Sequence, residues 1–158
     1  KVIQMKIQYS QRTRDYYRAQ GFEQDYSWAE NTATPFQPLL KPLADCVVTL
    51  VTTAVTEPEI PKPSRAAKRY RFDDTPAAFD TSELSWDKTT THTRDRGSYF
   101  PMEILRDMVN QGTIGALADH YHFVPTEYSQ ANTLNKDAPA IVKACIQDEV
   151  DVAILIPL

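Results

Sequence analysis

An α/β fold, with helices layered on a mostly parallel sheet, is predicted by three features of the sequence. The run CVVTLVTTAV, Cys46–Val55, is apolar and β-branched at nearly every position, the pattern of a strand covered on both faces. The run DVAILIPL, Asp151–Leu158, is a second such strand and is expected to be central and parallel. Between them lie a long crossover and two helical patterns. Strand, crossover, helix, strand is the order of a three-layer parallel sheet of the Rossmann-like or flavodoxin-like kind.

Taken in order, SQRTRDYYRAQG predicts a short helix, with Ser10 as N-cap and Gly21 as its stop. FEQDYSWAENTATPFQPLLKPL carries three prolines and several turn formers, so it reads as an extended, wrapped arm. Its aromatic neighbourhood, Tyr16, Tyr17, Trp28 and Phe36, is expected to pin the arm to the core. After the first strong strand, residues 57–98 show no period and are expected to be one long irregular loop. EPEIPKP is proline-rich and AAKRYRF is basic. Loops of such length are lids, binding loops or disordered segments. FPMEILRDMVNQG predicts a helix with Pro101 at its first position and Gly112 just past its end. Met102, Leu105, Met108 and Val109 form its core stripe. TIGAL starts a short element, and HYHFV alternates like a strand. DAPAIVKACIQDE predicts a second helix, with Asp137 as N-cap and Ile141, Val142, Cys145 and Ile146 facing the core.

The chain of 158 residues is long enough for one domain with a substantial core. A single α/β domain over residues 1–158 is expected. Residues 1–45 would be its helix and arm, and 46–158 its sheet core. The visible strands are few, and the sequence lacks an initiator Met, so the chain is expected to be a piece of something longer. The exposed edge of so short a sheet predicts a homo-oligomer. A net charge of −4 argues against nucleic acid as a partner. No apolar run approaches the ~20 residues that span a bilayer, and no signal peptide is recognisable. Cys46 and Cys145 are far apart, without a CxxC, so the expected compartment is the reducing cytoplasm. Each reads as a small buried hydrophobe or, alternatively, as a redox group.

No GxGxxG, Walker A or GxSxG is present, which weighs against nucleotide and dinucleotide ligands, and no resident cofactor is expected. The three histidines fall in two places. His120 and His122 form an HxH pair whose rings point the same way on a strand, and His92 lies in KTTTHTRDRG. Three converging imidazoles would make a metal site; otherwise they are pocket histidines without a metal. His120 and His122 are the candidates for proton transfer, because histidine titrates near neutrality. THTRDRG is the densest polar cluster. His92, Arg94, Asp95 and Arg96 are candidates for binding an anionic substrate, since the guanidinium fork suits a carboxylate and a helix N-terminus follows. The alternative is a solvated loop with a local ion pair. Thr52 and Thr53 close the first strand, where hydroxyls can meet a ligand or simply end a β-branched run.

PFQPLLKPLADCVVTLVTTA resembles the opening of the glycine/sarcosine/betaine reductase selenoprotein B and D-proline reductase family. FDTSELSWDKTTTHTRDRGSYFPMEILRDMVNQGTIGALADHYHF is similar to the family's following stretch, with its Gly-x-Ile-Gly, and DEVDVAILIPL to its next strand. Together these cover most of the chain from Trp28 to Leu158. The resemblance implies reductive cleavage of a bond next to a substrate carboxylate. It also implies a reactive selenocysteine or cysteine pair directly after the strand matched by DVAILIPL. Three departures stand out. Thr52-Thr53-Ala54-Val55 replaces the family's Thr-Thr-Gly-Gly, which removes a flexible backbone turn. Val124-Pro125 replaces its Met-Gly, and the redox residue is absent from the sequence.

The expected function is that of a subunit or fragment of such a reductase, acting on a small carboxylated or amine substrate. The thiol or selenol would come from a downstream segment or a partner subunit. The alternative is a non-catalytic, ligand-binding or structural remnant of the fold.

Overall fold

The computed structural model describes residues 8–25, 27, 30–83, 89–126 and 129–158. Its contacts divide the chain into two units, Lys1–Phe36 and Gln37–Leu158.

The first unit carries α1, Tyr9–Ala19. Gln8, not Ser10, stands at its N-cap position; Ser10 lies inside the first turn. Gly21 ends the helix with φ 90°, a value that glycine adopts without strain. Tyr17 packs edge-on against Tyr16 and Phe22. Tyr16 and Phe36 are exposed rather than pinned, and Trp28 lies outside the described residues.

The second unit is of α/β class, a mixed five-stranded sheet with helices. Its strands are β1 (Val47–Thr52), β2 (Lys68–Arg71), β3 (Ala116–Leu117), β4 (His120–Phe123) and β5 (Val152–Ile156). β1 is central. β5 takes one side of it in parallel, from Val48 to Thr52. β3 and β4 share the other side, pairing in parallel at Val47–Val48 and at Val51–Thr52. β2 closes the sheet antiparallel to β4.

Two expectations are corrected here. Residues 57–98 are not one irregular loop, because Lys68–Arg71 forms β2 and 3₁₀ turns stand at Lys62–Ser64, Phe72–Asp74 and Arg96–Ser98. β5 is parallel as expected but not central. Among the described residues it pairs with β1 alone, and Leu155 is 72% exposed. An all-apolar strand tolerates an edge position as readily as a central one, so composition alone could not separate the two.

The core lies on one face of β1. Val48 and Leu50 pack with Tyr121 of β4 and with Met102 and Leu105 of α2, Met102–Asn110. Phe72, Phe79, Phe100 and Tyr121 interlock with ring centroids 5.0–6.3 Å apart where they touch one another or Tyr99. Such offset and edge contacts favour aromatic clusters beyond simple area burial. Pro101 sits at the N-cap position of α2, one residue earlier than expected. Gly112 ends it as predicted: with φ 69°, its N–H donates to Val109 and that of Thr113 to Met108, both at 2.9 Å. Gly115 is required for a different reason, since a Cβ there would lie 2.7 Å from the Asp45 carbonyl carbon and 2.9 Å from the Cys46 nitrogen. This close approach delivers the chain into β3.

The second helical stretch starts earlier than expected. α3 (Gln130–Asn132) leads through a π-turn at Thr133–Asp137 into α4 (Ala138–Gln147). Its N-cap is Ser129, whose hydroxyl accepts from the Asn132 N–H at 3.2 Å. Asp137 is helical and buried, and its carboxylate accepts from the Ala67 N–H at 3.2 Å, just before β2. Ile141 and Cys145 are partly buried, but Val142 is 56% and Ile146 71% exposed, so only half of the expected stripe faces the sheet.

Candidate functional site

The carboxyl ends of the parallel strands meet at one rim. Thr52 is fully buried there, and its hydroxyl accepts from the Ala54 N–H at 3.1 Å. The Thr53 hydroxyl exchanges bonds with Leu158, accepting from its N–H at 2.8 Å and reaching its carbonyl at 3.3 Å. The two threonines thus hold strand ends together, with β1 tied to the residues that follow β5.

The connection leaving β1 reaches β4 by way of α2, which packs beside Leu50 and Tyr121. The connection leaving β4 reaches β5 by way of α4, whose Cys145 meets His122 on the other face. Loops that depart to opposite faces open a crevice between the ends of their strands, the usual ligand position in open α/β sheets. Beside it, between the loop that leaves β1 and the strand β2, a cavity of about 200 Å³ is lined by Val55, Glu57, Ile60, Arg65, Lys68 and Tyr70, with Phe123 at the end of β4. Its size suits a small metabolite; drug-sized ligands occupy ~300–1,000 Å³.

The charged wall of this cavity is organised by Glu57. Lys68 Nζ donates to its two oxygens at 2.6 and 2.8 Å, and the Tyr70 hydroxyl donates at 2.9 Å. These two donors, Lys68 first, hold the Glu57 carboxyl below its ordinary range. Burial, and then the bond to Glu57, push the Tyr70 phenol well above its own. Arg65 fixes the loop. Its side chain is 6% exposed, pairs with Glu83 at 2.6 Å and donates to the carbonyl of Ile60 at 2.9 Å.

The histidine pair lies beneath α4. His122 is 2% exposed, with Nε2 3.5 Å from Cys145 Sγ. His120 Nδ1 is 3.4 Å from Asp148 Oδ2, out of line for a hydrogen bond, and Arg69 holds the same carboxylate at 2.9 and 3.1 Å. Burial is the largest influence on both partners of the contact, lowering His122 and raising Cys145, so a protonated thiol faces a neutral imidazole. That is an inert polar island, unlike the thiolate pair of a nucleophilic site. Cys46 is fully buried at the opposite end of β1, with its thiol 3.4 Å from the Pro42 carbonyl.

His92 is exposed, and among the described residues no group of three His, Cys, Asp or Glu side chains is arranged to hold a metal ion. The HxH-plus-His92 metal alternative therefore finds no convergence there. The THTRDRG cluster forms a separate, open cavity with Thr75, Ala77 and Glu103. Arg96 is committed to Glu103 and to the Pro76 carbonyl, both at 2.6 Å, and Asp95 accepts from the Gly97 N–H at 3.0 Å. Arg94 is exposed and has no partner among the described residues. Contrary to expectation, the loop does not run directly into a helix; Tyr99, Phe100 and Pro101 separate the 3₁₀ turn from α2.

Glu57, Lys68, Tyr70 and Arg65 were not singled out from the sequence. Their only signal was the Arg-Tyr-Arg-Phe alternation at Arg69–Phe72, a period of two concealed by its basic composition. No family model, curated protein or solved structure matches the chain. No helix among the described residues is long and apolar enough to cross a membrane.

Proposed function

We propose that this chain is the substrate-binding part of a reductase-type protein related to the glycine/betaine and D-proline reductases. Its substrate is a small carboxylated or amine compound, and it acts in the cytoplasm with a thiol or selenol carried by a following segment or a partner subunit. The observation that supports this most is the junction of Thr53 with Leu158. It places the residues after β5 at the same rim as the crevice beyond β1, and the resemblance puts the family's reactive group directly after that strand. The parallel pairings of β1, with α2 and α4 on opposite faces, support the finer three-layer, Rossmann-like reading. Two free cysteines fit a reducing compartment.

The rim crevice is favoured over the arginine loop as the substrate site. It is the more enclosed, its charges are fixed, and Arg96 is already engaged elsewhere. His120 and His122 lie under α4 and are assigned no proton transfer. The exposed edge of β5 supports assembly with a second copy.

The test is to isolate the protein from its natural source, measure its intact mass and assay dithiol-dependent cleavage of small amino acids and their N-methylated forms. Turnover in a preparation heavier than 18.0 kDa, or copurified with a cysteine-bearing partner, is the expected result. A lone 18.0 kDa chain without turnover would overturn the reductase reading in favour of a binding protein.

A further inference from the structure

We propose that the rim crevice between the loop leaving β1 and the strand β2 recognises a small ammonium-bearing molecule, and that Lys68 occupies this ammonium site in the free protein. This rests on the rim being the substrate site, and not on the redox half of the reading above. Lys68 Nζ lies against both oxygens of Glu57, at 2.6 and 2.8 Å, and 5.1 Å from the centroid of the Tyr70 ring. A carboxylate on one side and an aromatic face on another is the environment that selects an ammonium over other groups. Here the ammonium is the protein's own, at the tip of a flexible side chain that is 51% exposed.

The rest of the site does not depend on Lys68. The Tyr70 hydroxyl keeps Glu57 aimed into the cavity, and Arg65 ties the surrounding loop to Glu83 and to the Ile60 carbonyl. Val55, Ile60 and Phe123 supply apolar walls. When Lys68 swings out to water, a ligand cation can take its place with no change in the crevice's charge. The exchange sacrifices one half-exposed ion pair, a weak interaction. Lys68 is therefore a tethered competitor that lowers the apparent affinity of the site, just as a minor binding-competent state does.

Methylammonium chloride is the direct probe, being the Lys68 head group without its tether. It would be titrated into the full chain and followed by amide NMR, with sodium chloride at equal ionic strength as the reference. The wild-type resonances of Glu57, Lys68 and Tyr70 should move. Lys68→Met should bind roughly two- to fivefold more tightly, the factor that matches release of an exposed pair. Glu57→Gln should abolish the response. Wild-type crevice resonances that stay still, or a folded Lys68→Met protein that binds no more tightly, would overturn the proposal. If Lys68→Met does not fold, the side-chain resonances of wild-type Lys68 decide, since displacement must shift them. Methylammonium binding without dithiol-linked turnover would sink the redox reading alone, and turnover without crevice binding would sink this one alone.

Discussion

Glu149 ends α4 in the left-handed region, at φ 53°, with its N–H donating to Ile146 and that of Val150 to Cys145. Gly112 does the same work after α2. A side chain in this conformation costs about 1–2 kcal/mol, partly offset by its lower freedom when unfolded. Glu149→Gly is therefore expected to raise stability by up to about 1 kcal/mol, and Gly112→Ala to lower it by a similar amount, in denaturant titrations. The same turn sets the chemistry of Cys145. Burial, helped by the charge of Asp148, keeps its thiol protonated beside the neutral His122. Iodoacetamide should label it slowly near neutral pH, and Asp148→Asn should speed labelling; rapid labelling of the wild type would contradict the assignment. At this scale the sequence was partly informative. It marked His122 and Cys145 separately, but their contact joins residues 23 positions apart and is made only when α4 docks on β4.

The second helical stretch shows what local pattern can and cannot specify. Its apolar residues announce a helix, yet its start is set by Ser129, eight positions before Asp137, through a π-turn that no periodic pattern predicts. Asp137 reads as a cap because a proline, Pro139, follows two positions on in what would be the first turn, and instead it serves β2 by accepting from Ala67. Ser129→Ala should cost about 1 kcal/mol in a thermal or urea melt, and Asp137→Ala a similar amount or more, since it leaves the partly buried Ala67 N–H without its acceptor. β1 and α2 were legible because their apolar residues fall on the faces their periods predict: β1 is buried from Val48 to Thr52, and α2 turns Met102 and Leu105 fully, and Met108 and Val109 partly, to the core. β2 was not, because two of its four residues are arginines whose partners, Asp148 and Asp73, lie far away in sequence or on a turn. Its place at the sheet edge, which tolerates charge, is what allows that composition.

Within the Gln37–Leu158 unit, His122 and Asp151, like Glu57, are held low, and each costs stability as the pH falls. His122 is held below its ordinary value, so the unfolded chain takes up its proton first, and stability falls as the pH drops through about 6.5. Asp151 is held low by Lys41 and the Val47 N–H, so its contribution is present above the ordinary aspartate range near 3.8 and is lost below it. His122→Asn should flatten the first limb of a stability–pH curve while leaving the second, and unchanged limbs would show that the burial of His122 is not the cause. On the same unit, Ile146 and Leu155 expose apolar side chains, and Leu155→Lys is expected to reduce self-association in sedimentation at high concentration. The central proposal, that a small carboxylated or amine compound binds in the rim crevice between the loop leaving β1 and the strand β2, is tested most directly by mapping such a compound onto the amide NMR spectrum of the intact chain. The account predicts perturbations over residues 55–70 and 123–126. Perturbations confined to Arg94–Gly97, or none at saturating ligand, would contradict it.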